Sequence, residues 1–505
     1  MIQPRLLTCL SGLTLALAAC GDDANTSASA SGTQGSTSVT TASTSDTTAS
    51  TGVPTTSASA SGTESNSGTM GATEGQTTGS ATTSTSSTGE PGTSTGSDTT
   101  GQVSASSGST SGSTSGGGSS TTGNPPPDCQ PGDTDGMGMV EKSFLWVANS
   151  DQGTISKVDT QAVKELARYR SGPLGEGYAD DPSRTAVSVD GRFVIVNNRQ
   201  SGHVTMIAAN LEDCVDKNGN GKIDTSQNPT DIRPWMQDEC IRWSVQMPFK
   251  GDFGSGPRGV TWTPGTWDPN LCQFVDPKVW VGYLPVQDGV AHMARIAGET
   301  GVVEETLVID NWVIGDTFWG PYGAALDKNL DVWFSGLRGE LFRINTKNKP
   351  ATFDRWAPPD NLQFYGMTVD PDGDPWFGGC SGPVSTFDPV TKQFIAVAGL
   401  ESCFRGLAAD KEGSVWVAAN GPCGVAQIDH VNNKLIKFHD LNPCSTPVGV
   451  SVDDEGYVWV VDEYIGAWKI DPLNPNNKQL INIDNDHYTY SDMTGGQLKS
   501  VVLPQ

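Results

Sequence analysis

GAALDKNLDVWFSG, residues 323–336, recurs three times in altered form: GMTVDPDGDPWFGG (366–379), GLAADKEGSVWVAA (406–419) and GVSVDDEGYVWVVD (449–462). Each copy opens on Gly, alternates apolar with small residues, turns at an Asp and resumes with an apolar pair that includes a Trp. The Trp residues stand at 333, 376, 416 and 459, spaced by 43, 40 and 43. Two apolar runs joined by an Asp/Gly turn predict paired antiparallel strands. A third strand follows each time: GELFRIN (339–345), GPVSTFD (382–388), GVAQID (424–429) and GAWKID (466–471). More polar stretches such as TKQFIAV (391–397) and NNKLIKF (432–438) close the unit. A sheet of about 40 residues cannot bury both faces alone, whereas radial stacking buries them and places Trp in the wedge between sheets. The predicted fold is all-β, a β-propeller.

Weaker copies extend the series towards the N-terminus. SFLWVANSDQGTISKVD (143–159) holds Trp146, and TAVSVDGRFVIVNNRQSGHVTMI (185–207) has Ile195 in the Trp slot. GVTWTPG (259–265) and VWVGYL (279–284) form another copy, with Trp280. Seven blades are expected within 128–505, with an insert at 210–257 between the second and third. The first unit has no inner strand, because only MVEKS precedes its first apolar run. YTYSDMTGGQLKSVV (488–502) is expected to supply that strand and close the ring, since an open ring would expose strand edges.

The repeated Gly-x-x-x-Asp-x-x-Gly-x-x-Trp-Phe/Val core resembles the virginiamycin B lyase-like and NHL-type bacterial propellers, over roughly residues 140 to 505. In that family the resemblance implies ring opening of a cyclic ester by elimination, with a His base, acidic residues and a magnesium ion near the channel. Blades that carry this chemistry have a Glu after the Trp pair and a His just before the inner strand. Here the first positions are Asn149, Asn198, Tyr283, Gly336, Gly379, Ala419 and Asp462, of which only Asp462, followed by Glu463, is acidic. Of the five His residues, His203 and His292 fall in outer strand positions and His430 and His439 in the polar closing stretch, while His487 precedes the expected closing strand. The lyase pattern is not matched. A binding or interaction propeller is the leading expectation, and a polysaccharide- or ester-acting lyase or hydrolase is the alternative.

Residues just before the inner strands converge on one face of a propeller. Here they include Arg184, Arg258, Tyr322, Tyr365 and Arg405, with Trp319 and Phe404 close by in sequence. Arg offers a planar fork for carboxylate or phosphate, and Tyr offers a stacking face. The cluster reads as a site for an acidic glycan, a peptide or a protein partner. The competing reading pairs each Arg with an acid of the next blade, such as Asp462 or Glu463.

Within the insert, Asp216, Asn218, Asn220, Lys222 (through its carbonyl) and Asp224 resemble the first nine positions of an EF-hand or dockerin calcium loop, with Gly221 at the sharp turn. Position twelve is Gln227, where that family has a bidentate acid. A structural Ca2+ is expected to pin the insert.

Beyond Cys9 and Cys20 there are eight cysteines, an even count that implies disulfides in an exported chain. Cys380 and Cys403 occupy two slots of the repeat, and Cys423 and Cys444 occupy the same slots one blade later. Both pairs are expected to bridge adjacent blades. Cys214–Cys240 would close the insert, leaving Cys129 and Cys272. No CxxC and no paired His suggests zinc.

Residues 1–20, MIQPRLLTCLSGLTLALAAC, read as a signal peptide whose ending resembles a bacterial lipobox, with Cys20 the lipidated residue. Residues 21–127 are Ser, Thr and Gly with scattered acids, a composition that cannot offset the entropy of ordering. As a coil this tether would span roughly 55 Å. No Lys or Arg occurs from Gly21 through Glu141, and the net charge is −26, which argues against nucleic acid. The expected location is the cell envelope, lipid-anchored and extracytoplasmic, at the outer membrane or cell surface.

Overall fold

In the computed structural model, residues 143–270, 273–312, 318–484 and 486–496 are described. The expected signal peptide, Cys20, the tract 21–127, and Cys129 and Cys272 lie outside them. Seven antiparallel sheets follow one another along the chain as the blades of a propeller. Blade 1 has three strands, Phe144–Asn149, Thr154–Asp159 and Lys164–Arg170. Blades 4 to 7 run inner to outer in chain order and begin at Pro321–Leu326, Met367–Val369, Phe404–Ala409 and Pro447–Val452. Blade 3 interrupts this order with a small hairpin, Thr266–Asp268 against Gln273–Val275, between its first strand and its second.

The repeat is explained by one hydrogen-bonded pair. In blades 4 to 7 the turn Asp accepts the indole N–H of the Trp six residues on: Asp327–Trp333 at 2.9 Å, Asp370–Trp376 at 2.8 Å, Asp410–Trp416 at 2.7 Å and Asp453–Trp459 at 2.8 Å. The other carboxylate oxygen caps the turn; in blade 6, Asp410 Oδ1 accepts the amides of Glu412 and Ser414. These Trp side chains are fully buried between blades. Blade 2 changes both partners together. Ser188 stands in the Asp slot, its amide bonded to the carbonyl of Phe193, and Ile195 fills the wedge without a polar atom.

The Gly that opens each copy has a different cause. A Cβ on Gly406 would lie 2.6 Å from the carbonyl oxygen of Val448, and one on Gly366 would lie 2.4 Å from that of Arg405. Inner strands of successive blades pass too closely for a side chain.

The ring closes through the C-terminal segment. It runs beside Phe144–Asn149, with Ser150 N–H bonded to the carbonyl of Asp486, a bridge between Asn149 and His487, and Trp146 N–H bonded to the carbonyl of Met493. The register is not uniform. The segment bulges between these points, and Tyr490–Ser491 pairs in parallel with the inner strand of blade 2, Tyr490 opposite Arg184. Lys469 of blade 7 adds a bond from its ammonium to the carbonyl of Thr160 in blade 1.

Within the stretch 210–257, Ile241–Gln246 pairs with His203–Ala208 and is the outer strand of blade 2. The irregular part therefore lies inside blade 2, between its third and fourth strands. Disulfides join Cys214 to Cys240, Cys380 to Cys403 and Cys423 to Cys444. The latter two tie blade 5 to blade 6 and blade 6 to the approach of blade 7. Such bridges mark an oxidising compartment. Among the described residues no helix is long and apolar enough to cross a membrane.

Replacing Asp410 by Ala leaves a buried indole N–H and two turn amides without their acceptor. The expected loss is about 3 kcal/mol, read from the denaturant midpoint. Lys411→Ala, at the exposed neighbouring position, should stay within about 0.5 kcal/mol.

Candidate functional site

The five residues expected at the mouth do come together around the axis of the ring, and they are buried there. Arg184, Arg258 and Tyr322 have no exposed surface, Tyr365 is 2% exposed and Arg405 is 8% exposed. The chain's own C-terminal segment packs on Arg184, Tyr322, Tyr365 and Arg405, whereas Arg258 lies against Phe253 and Trp319. The Tyr490 ring lies under the guanidinium of Arg184, 3.1 Å from its central carbon, and stacks on Tyr365 at 5.5 Å. Tyr322 meets Tyr365 edge-on at 5.5 Å.

Each Arg is held differently. Arg184 Nε donates to the carbonyl of Tyr322. Arg258 Nη1 donates to the carbonyls of Phe253 at 2.9 Å and Gly254 at 3.1 Å, with the guanidinium over Trp319. Arg405 Nη1 lies 3.7 Å from Glu463 Oε2, the inter-blade acid that the competing sequence reading named. Arg199, not singled out in the sequence, completes the group. It pairs with Asp181 at 2.5 Å and sits 4.5 Å over the Tyr488 ring. The hydroxyls of Tyr365 and Tyr490 and the Nε of Arg405 are buried and have no hydrogen-bond partner among the described residues. The axis is thus a layered stack of cations and aromatic faces, with Tyr488 and Tyr490 packed on one part of it and Phe253 and Trp319 on another.

The imidazoles are engaged elsewhere. His203 Nδ1 faces Ser244 Oγ, His292 Nδ1 faces the Tyr283 hydroxyl, and His430 Nδ1 lies 3.3 Å from Asp370. His439 stacks on Trp416. His487 lies in the closing segment, fully buried, its ring nitrogens against Asn149 Oδ1 and the carbonyl of Ile483. On the face where the ring closes, the Tyr178 hydroxyl donates to Asp486, and burial together with Asp486 raises the carboxyl of Asp151 above its ordinary range.

The expected metal-ligating residues form a tight loop. Asp216 accepts the amides of Gly219, Asn220 and Gly221, while Asp224 Oδ2 accepts both side-chain amides of Asn218 (2.9 Å) and Asn220 (2.7 Å). Those bonds hold the Asp224 carboxyl below its usual value. Gly219 and Gly221 take positive φ, as the turn requires. The donor set is hard oxygen and suits Ca2+, but no acid stands at position 227. Asp231, the nearest alternative, accepts the amide of Gln227. Glu239, from the far side of the disulfide loop, spends its carboxylate on the amides of Lys217, Asn218 and Asp224. It fixes the loop's shape rather than supplying the missing ligand. The motif alone could not reveal it, because it lies outside the loop in sequence.

Burial pushes the His487 imidazole from 6.5 down to about 4. Between those pH values the unfolded chain binds a proton that the folded chain refuses, so stability rises with pH across the window. It is fully present above about pH 6.5, and about 3 kcal/mol is lost as pH falls to 4. Melting curves of the wild type and His487→Asn from pH 4 to 7 check this. The variant should melt lower at pH 7 and show a flatter slope below it; parallel slopes would assign the pH dependence to other groups.

No protein-family model and no curated protein matches the chain. Solved structures match in fold. A streptogramin B lyase structure is 16% identical, with 66% of this chain and 91% of that chain covered and a TM-score of 0.45. AztD from Citrobacter koseri is 12% identical, covering 69% and 97%, with a TM-score of 0.44. A putative 6-phosphogluconolactonase from Bacteroides uniformis is 11% identical, covering 70% and 98%, with a TM-score of 0.47.

Proposed function

We propose that the chain is a membrane-tethered, extracytoplasmic binding propeller: a rigid, disulfide-braced ring carried on a flexible Ser/Thr/Gly tether by a lipid at Cys20. The observation that carries this reading is the make-up of the axis. Arg184, Arg258, Arg405, Tyr322 and Tyr365 meet there, while each of the five imidazoles is engaged elsewhere. Guanidinium forks and phenol faces recognise acidic groups by charge-assisted bonds and stacking, without doing proton chemistry. The ligand class is an acidic glycan, or the carboxylate of a peptide or protein partner. Because Tyr490 already lies on Arg184 and Tyr365, such a ligand competes with the chain's own terminus. The enzymatic alternative, a lyase or hydrolase, has one observation in its favour: the raised carboxyl of Asp151 beside Asp486 and Tyr178.

The test is the melting temperature of the protein against acidic sugars, carboxylated peptides and phosphorylated compounds. A ligand at about 100 times its dissociation constant adds roughly 2.7 kcal/mol. Arg405→Ala should abolish the shift and Tyr490→Ala should strengthen the affinity. Binding unchanged in Arg405→Ala sinks the axial site. Turnover of any compound that is lost in Asp151→Asn would favour the enzyme.

Ca2+ in the 216–224 loop would be structural in this reading. Asp216, Asn218, Asn220 and Asp224 would offer side-chain oxygens, and Lys222 its carbonyl. With no acid at position 227, affinity in the millimolar range is expected, that of extracellular modules. Millimolar Ca2+ should raise the melting temperature relative to chelator, and Asp216→Ala should remove the difference.

A further inference from the structure

A second hollow lies away from the axis, in the seam between blades 2 and 3, on the face that carries the Ser188 turn. It consists of two adjoining cavities of about 150 and 250 Å³ that share Arg192, Phe193, Trp262, Pro277 and Glu299 in their walls. Phe274, from the hairpin that interrupts blade 3, borders one of them, and Arg242 borders the other. A combined space of this size accommodates a molecule built on one aromatic ring.

The walls are set by packing and need no ligand to form. The Trp262 indole N–H donates to the carbonyl of Ala186, and that of Trp243, behind the seam, donates to the carbonyl of Gly298. A Cβ on Gly298 would lie 2.7 Å from the Trp262 ring, so strand and ring are in contact without room to shift. Trp267 meets Phe274 edge-on at 5.1 Å and steadies the hairpin wall.

The charged lining is asymmetric. Arg192 and Arg242 both lie over the Phe193 ring, at 5.4 and 5.7 Å. Both are tied to Asp213, Arg192 through its carboxylate and Arg242 through its carbonyl oxygen. Arg192 is neutralised by that pairing. Arg242 bonds only a carbonyl, and no carboxylate pairs with it among the described residues. Its remaining N–H groups are donors at the cavity wall. In a chain of net charge −26, a cation left without an acid beside aromatic walls is a selective feature. Of the two acids in the lining, Asp190 accepts the Ser188 hydroxyl and the Arg192 amide, and Glu299 is exposed at the rim.

We propose that this inter-blade hollow binds a small aromatic carboxylate, its ring between Phe193, Trp262 and Phe274 and its carboxylate on Arg242. A neutral ring lacks the charge-assisted bond, and a compact inorganic anion lacks the apolar contact. Glu299 at the rim disfavours a second negative charge. The site shares no residue with the axial cluster, so it stands or falls independently of that reading.

The experiment is calorimetric titration of the full chain with phenylacetate and indole-3-acetate, with phenylacetamide and inorganic phosphate as comparisons. The acids should bind, with phenylacetamide and phosphate each weaker by about tenfold or more. Arg242→Gln, which keeps a donor for the Asp213 carbonyl, should bring acid and amide to the same affinity. Phe274→Ala, on the hairpin, should weaken both aromatic compounds and leave their ratio unchanged. An amide that binds as well as the acid, phosphate that binds as well as either acid, Arg242→Gln without effect, or no binding of the acids at millimolar concentration would each overturn the proposal.

Discussion

The interaction on which the ring depends is the bond from a buried Trp indole to an Asp carboxylate six residues earlier. A Trp in the wedge between sheets brings apolar area and a polar N–H that must find an acceptor. The Asp supplies one, and its second oxygen caps the turn that joins the first two strands. One carboxylate thus fixes the turn, the strand register and the rotamer of the wedge residue. Its cost is a buried charge, offset by three hydrogen bonds, as Asp410 illustrates. Blade 2 exchanges Asp and Trp together for Ser188 and Ile195, which is what a coupled pair requires. Blade 3 keeps Trp280 without the turn Asp, and the Trp280 indole N–H has no acceptor among the described residues. Blade 1, whose Trp146 has Val140 six residues earlier, lacks the pair as well, so the rule holds over blades 4 to 7.

The second constraint is closure. In blades 3 to 7 the inner strands approach so closely that Gly stands where they pass, and the first blade takes its innermost segment from the other end of the chain. The borrowed segment bulges inward rather than pairing evenly, and this carries Tyr490 into the centre. Closing the ring and filling its axis are therefore one event, with His487 and Asn149 buried at its start and Met493 bonded to Trp146 at its end.

The period, the blade count and the three disulfides could be read from the sequence because the repeat places equivalent residues in equivalent slots. The convergence of the five Arg and Tyr residues was legible for the same reason. Their covering was not. It follows from a local bulge in a segment with no counterpart in the repeat, and a register shift between residues 487 and 493 leaves no trace in composition. Arg199 and Glu239 were invisible on similar grounds, since each acts on a group distant in sequence. Ile241–Gln246 alternates like a strand, but a long irregular stretch separates it from its partner, so repeat spacing could not assign it. The hollow between blades 2 and 3 arises from two interruptions of the pattern meeting at one seam.

Among the described residues, covalent bracing is distributed unevenly around the circle. Two of the disulfides reinforce the junctions of blades 5, 6 and 7, while the junction of blades 7, 1 and 2 is held by hydrogen bonds, stacked rings and one lysine. That junction is also where the polypeptide preceding Ser143 attaches. Phe144–Asn149, the first described strand, lies on that non-covalent side, next to the closing segment. Among the described residues the ring is therefore a cross-linked arc joined by a non-covalent clasp, and opening that clasp breaks no covalent bond.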